Sequence, residues 1–121
     1  MKTYILLFFL SLLLIDAPSE VVDWETPKEH DFGALQRNEA ATYGFVFRNI
    51  SDEPIVIENV RFTCGCTAPD WAEAPIAPDS TATVNIRYKW HKTGFFRKKI
   101  KVFVSGQRRA EVLFVEGEVI D

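Results

Sequence analysis

The sequence predicts an all-β protein, a two-sheet antiparallel sandwich of about seven strands preceded by a signal peptide. Three observations carry that expectation. A long apolar run is confined to the N-terminus; beyond residue 20 apolar and polar residues alternate with period two; and turn-forming residues fall between the alternating segments.

Residues 4–15 form a run of twelve broken only by Ser11 and preceded by Lys2. A helix needs about 20 residues to cross a hydrocarbon core. The run is too short for that and matches the apolar region of a signal peptide behind a short basic start. Ala17 and Ser19 supply small side chains for cleavage before Glu20. The expected division is a signal peptide over residues 1–19 and one domain over residues 20–121, with no transmembrane span in the mature chain. No cysteine follows the run directly, so a lipid anchor is not expected. The mature chain is expected in a periplasm, at a cell surface or outside the cell.

The alternating segments follow in order. A short strand is expected near residues 29–32. Over residues 41–47, Ala41, Tyr43, Phe45 and Phe47 share one parity. Ile55 and Ile57 begin the next segment, Val60 and Phe62 continue it, and Glu58-Asn59 marks an irregularity between them. Val84, Ile86 and Tyr88 oppose Asn85, Arg87 and Lys89. From Gly94, the residues Phe96, Ile100, Val102 and Val104 face one way and Arg97, Lys99 and Lys101 the other. A final strand is expected over residues 112–119. Such alternation is what a half-buried antiparallel strand requires. Turn chemistry separates the segments at residues 49–54, at Ala77-Pro78-Asp79-Ser80 and at Ser105-Gly106-Gln107. The count and spacing suit an immunoglobulin-like sandwich, although Trp71 and Trp90 lack the Cys…Trp…Cys spacing of antibody domains.

A net charge of −3 argues against a nucleic-acid partner, because that affinity comes chiefly from cations on phosphates. There is no Gly-rich phosphate loop and no nucleophile elbow, so the chain is read as a non-enzyme without an implied cofactor. Arg97, Lys98, Lys99 and Lys101 form a basic stretch. A solvated strand is favoured there over an anionic-ligand patch, and such lysines also guard an edge strand. Asn49-Ile50-Ser51 is a formal glycosylation sequon.

Cys64-Gly65-Cys66 is the pointed feature, holding the only two cysteines of the chain. Three readings stand open. A structural disulfide is feasible because residues i and i+2 of an extended strand lie about 6.6 Å apart, near the upper limit for a bridge; so small a loop stabilises by only about 1.5 kcal/mol. A dithiol could instead serve redox exchange or give Cu(I) two soft ligands. Zinc would need two more, and the candidates His30 and His91 are distant in sequence. Plain burial is the third reading: Val60, Phe62, Cys64 and Cys66 share a parity, and free cysteine packs as a small apolar group.

Several motifs occur in a telling order: His30-Asp31-Phe32-Gly33, Phe45-Val46-Phe47-Arg48-Asn49, Pro54 through Val60, Cys64-Gly65-Cys66-Thr67, Ile76-Ala77-Pro78, and Gly94-Phe95-Phe96-Arg97-Lys98. Over residues 28–119 the chain resembles the bacterial domain-of-unknown-function family 1573, seen especially in Bacteroidetes-type exported proteins. It departs from that pattern at Pro78-Asp79, where the family commonly shows Pro-Gly; the turn must avoid positive φ or accept strain. The family is similar in turn to Ig-like domains of the major-sperm-protein and cilium-associated kind. The resemblance implies a sandwich and export, and it supplies no activity. The expected function is an exported, non-enzymatic module that engages a protein or cell-envelope component. The alternative is a thiol redox or copper-handling protein using Cys64 and Cys66.

Overall fold

Apolar side chains at alternate positions give each strand one face that water disfavours, and two sheets bury those faces against each other. The computed structural model describes residues 20–63 and 65–121; the expected signal peptide and Cys64 lie outside them. Among the described residues eight strands form: β1 (Val22–Trp24), β2 (Glu29–Gln36), β3 (Ala41–Asn49), β4 (Ile57–Phe62), β5 (Thr67–Trp71), β6 (Thr81–Tyr88), β7 (Gly94–Val104) and β8 (Glu111–Ile120). The first sheet has the order β1-β3-β6-β5 and the second β2-β8-β7-β4. All pairings are antiparallel except β2 with β8, which is parallel. Alternation cannot distinguish the two, since both place successive side chains on opposite faces. No helix among the described residues is long and apolar enough to cross a membrane.

The core is the meeting of two inner faces. Val22, Phe45, Phe47, Val84 and Ile86 come from the first sheet. Ile57, Val60, Ile100, Val102, Val104, Leu113 and Val115 come from the second. Each such side chain contributes about 1.5–3 kcal/mol when fully buried. Ile55 and Ile76 exchange backbone hydrogen bonds of 3.0 and 2.7 Å as an isolated bridge outside the named strands. A smaller apolar cluster of Cys66, Tyr88 and Val119, flanked by Phe32, Leu35, Trp90 and Phe96, fills one end.

Irregularities fall where the residues demand them. The register of β4 against β7 shifts between Ile57 and Asn59, at the expected irregularity. Asp31 Oδ1 accepts the Gly33 N–H at 2.7 Å, and Gly33 adopts φ 69° inside a register shift of β2 against β8. The Gly33 carbonyl lies so close to Gly117 that a Cβ there would stand 2.8 Å from it. The Asp31-Phe32-Gly33 motif is thus a bulge in an edge strand. Asp79 takes φ 66°: the turn at Pro78-Asp79 accepts the strained conformation. Its N–H donates to the Asn49 carbonyl (2.8 Å), and its own carbonyl accepts from Arg48 (2.5 Å).

Two buried polar groups serve the fold. Asn49 is wholly buried; its Nδ2 donates to the carbonyls of Glu53 (2.8 Å) and Ile76 (2.9 Å). Its Oδ1 accepts from the Ser51 N–H (2.9 Å) and hydroxyl (2.7 Å). The sequon's amide is therefore enclosed and fully engaged. Glu111, 4 % exposed, accepts from Trp24 Nε1 at 2.7 Å and Gln107 Nε2 at 2.9 Å, and pairs with Lys28 at 3.3 Å. Burial pushes its carboxyl pKa up, but the two hydrogen bonds and the lysine outweigh that and hold it below the ordinary glutamate value.

Candidate functional site

Between Phe62 and Thr67 the chain leaves the second sheet and enters the first. The shared parity of Val60, Phe62, Cys64 and Cys66 therefore does not describe one continuous strand. Val60 is buried, Phe62 is 40 % exposed at the end of β4, and Cys66 is buried in the smaller cluster just before β5. Phe62 is not a core residue, because its strand ends where the sandwich opens.

Cys66 is disulfide-bonded; Cys64, its only counterpart in the sequence, lies outside the described residues. The Cys66 carbonyl accepts the Lys89 N–H at 2.9 Å, and its sulfur lies 3.8 Å from the Thr67 hydroxyl oxygen. Beneath it Tyr88 stacks on Phe96 at 3.9 Å, and burial pushes the Tyr88 phenol pKa up. Above it is an open recess lined by Asn38, Ala68, Arg87, Lys89, Trp90 and His91. The fold thus places His91 and Cys66 on the lining of one recess. His30 stays with β2, stacked on Tyr43 at 3.6 Å. Among the described residues no group of three or more His, Cys, Asp or Glu side chains is placed to hold a metal ion.

The outer face of the second sheet is divided by charge. Toward β2 and β8, Arg97 sits opposite Glu116 and reaches Glu29 at 2.7 Å and Glu116 at 3.4 Å, with its guanidinium carbon 4.1 Å from the Phe114 ring centre. The Glu29 hydrogen bond and charge, aided by Glu116, raise its pKa above the ordinary arginine value. Toward the β4 edge the compensation ends. Arg61 lies directly opposite Lys101, with Lys99 two residues along β7. Among the described residues none of these three forms an ion pair. With Phe62, Thr63 and Phe103 they line a shallow recess, and Arg61 stands 5.2 Å from the Phe103 ring centre.

Alternation does place Lys99 and Lys101 on the solvent face, as expected. It does not reveal that Arg61 joins them, because β4–β7 register depends on a bulge and a long connection. Arg87 and Lys89 beside Cys66 escape a sequence reading for the same reason. The signal that existed was local: Arg61 precedes a phenylalanine at the end of an apolar segment.

A model of the family described as protein of unknown function (DUF1573) matches residues 22–119. No curated protein matches the chain in sequence. Among solved structures, the chain is similar to a protein of unknown function from Porphyromonas gingivalis W83, with TM-score 0.69 and 16 % identity; 82 % of this chain is covered and 46 % of that one. The chain therefore spans less than half the length of that protein. It is also similar to an ASH/PapD-like domain of human CEP192, with TM-score 0.73 and 11 % identity over 88 % of this chain and 89 % of that one. A third likeness is to the secreted serine protease VesC from Vibrio cholerae, with TM-score 0.62 and 16 % identity over 83 % of this chain and only 23 % of the protease. At these identities the likeness establishes the sandwich fold alone.

Proposed function

The chain belongs to the DUF1573 family of proteins of unknown function, and on that premise we propose that it is an exported, non-enzymatic module that engages a partner protein in the cell envelope or outside the cell. The N-terminal run over residues 4–15 with Ala17 and Ser19 supports export. So does the occurrence of a similar sandwich within a secreted protease.

The observation that carries the interaction is the β4 margin of the second sheet, where Arg61 opposes Lys101 beside the exposed Phe62. Like charges directly across a strand pair destabilise a sheet, and an exposed phenylalanine forgoes its burial energy. A partner that covers both relieves both. A photo-crosslinking residue at Phe62 tests this in the producing cell. It is expected to capture a defined partner, while the same probe at Ile50 captures none. Ile50 is also exposed, but it sits at the opposite end beside Val21 and the Gln107 loop. Equal background at both positions overturns the reading, and a mature protein that does not begin near Glu20 overturns export.

A second reading has its own observation. Cys66 lies in a disulfide within a recess carrying Arg87, Lys89 and His91. Nearby cations favour a thiolate once a bridge opens, which suits thiol exchange or Cu(I) handling by Cys64 and Cys66. Reduction by a glutathione buffer, followed by thiol labelling and a Cu(I) competition assay, tests it. A bridge that resists the buffer, with no Cu(I) affinity after forced reduction, overturns it.

A further inference from the structure

We infer that the β4 edge receives an extended protein segment in which acidic and apolar residues alternate; this rests on the interaction reading above and names its partner's chemistry.

Four strands end the two sheets. β1 has three residues, β2 is bent by the Gly33 bulge, and β5 carries Pro69, which cannot donate a backbone hydrogen bond. β4 is bulged only at its start; from Asn59 to Phe62 its pairing with β7 runs in regular register. Among the described residues its other flank faces no strand of the second sheet. In this stretch the Val60 N–H donates to Asn59 Oδ1 at 2.9 Å, so an added strand pairs in ordinary sheet geometry at Phe62 and takes up the Val60 donor only by displacing that side chain.

The side chains then dictate what the strand must carry. A residue set opposite Arg61 projects onto the outer face, about 5 Å from it across the strands. A carboxylate there faces Arg61, with Lys101 on the next strand and Lys99 beside it. Its sequence neighbours project the other way, toward the rim where Phe62 is 40 % exposed, and apolar side chains cover that ring. Charge alone on β4 is a known guard against unwanted pairing. Here the guard would be self-defeating, because Phe62 offers an apolar foothold at the same place and no carboxylate among the described residues neutralises the three cations.

A flat anionic surface fits worse. The same face carries Glu29, Glu116 and, by register, Asp31 and Glu118 on its β2–β8 side. The whole chain has net charge −3. A broad polyanion laid across the face meets carboxylates over half its width, whereas a strand confined to Asn59–Phe62, past the exposed Glu58 at the start of β4, meets Arg61 with Lys101 behind it.

The test uses the full mature chain and a fluorescein-labelled peptide of alternating Glu and Val. Saturable binding is expected by anisotropy, weakening as salt rises. The same peptide with Lys for Glu is expected not to bind. Arg61→Glu combined with Lys101→Glu is expected to weaken binding at least about tenfold, and Phe62→Ala several-fold, with unchanged circular dichroism showing that the variants fold. Absence of saturable binding, equal binding by the charge-reversed variant, preferential binding to phosphatidylglycerol vesicles, or a self-associated dimer that occupies the β4 edge overturns the inference. If the peptide fails while a probe at Phe62 still captures a partner, the inference falls and the interaction reading stands. If both fail, the interaction reading falls as well.

Discussion

The end of the sandwich around Asn49 and Glu111 and the margin around Arg61 and Lys101 treat polar groups in opposite ways. At the first, a buried amide and a buried carboxylate meet donors and acceptors supplied by the chain itself. At the second, three exposed cations meet no carboxylate among the described residues and two of them face each other. Desolvation explains the contrast. A group removed from water must be satisfied internally or the fold loses several kcal/mol, while an exposed charge is satisfied by water and can be left for another molecule. The fold uses up the polar groups of one end and leaves those of the other available.

The sharpest way to break that comparison is at Asn49. Asn49→Ala removes partners from the Glu53 and Ile76 carbonyls and from Ser51 at once. A buried group left unsatisfied costs about 1–3 kcal/mol, and partial access of water to the loop moderates the sum, so a loss of about 3 kcal/mol is expected. Urea unfolding with an unchanged slope measures it. A loss below about 1 kcal/mol means the amide is not structural.

A smaller effect is expected at Glu111. Glu111→Gln keeps an acceptor for Trp24 but loses the charge facing Lys28, at an expected cost of about 1.5 kcal/mol at neutral pH. The pH dependence carries the sign. The folded-state pKa lies below the ordinary value of 4.5, so the folded protein holds its proton less tightly than the unfolded chain. The wild-type contribution is therefore fully present above the ordinary value and is lost as pH falls through the lower folded-state value. The gap between wild type and variant should narrow over that acid window. A gap that is constant with pH assigns the loss to packing instead.

Much of this was legible in the residues themselves. The inner face of β7, with Ile100, Val102 and Val104, is written in its alternation, and the β4 bulge is marked by Glu58-Asn59. β1 and β5 were not, for β1 is three residues long and β5 contains Pro69, which breaks a strand pattern. The cysteines were singled out, but the crossover that puts Cys66 against Tyr88 and beneath Arg87 and Lys89 depends on contacts between segments far apart in sequence. The same holds for Arg61 and Lys101, which are brought together only by a register that spans 40 residues of chain.

The smallest expected effect separates the two regions most cleanly. Lys101→Glu replaces a like-charge pair across β4 and β7 with an opposite-charge pair. Cross-strand pairs of this kind are worth about 0.2–1 kcal/mol, so the isolated domain should gain about 0.5 kcal/mol. The gain should shrink as salt shortens the range of the interaction. The same substitution removes a cation from the proposed strand-binding edge and should weaken binding of the Glu–Val peptide. A residue that serves the fold loses stability when changed; one retained for a partner can be changed to the benefit of stability and the cost of binding. If Lys101→Glu destabilises the domain, the lysine belongs to the fold after all, and the distinction between the two regions fails at its weakest point.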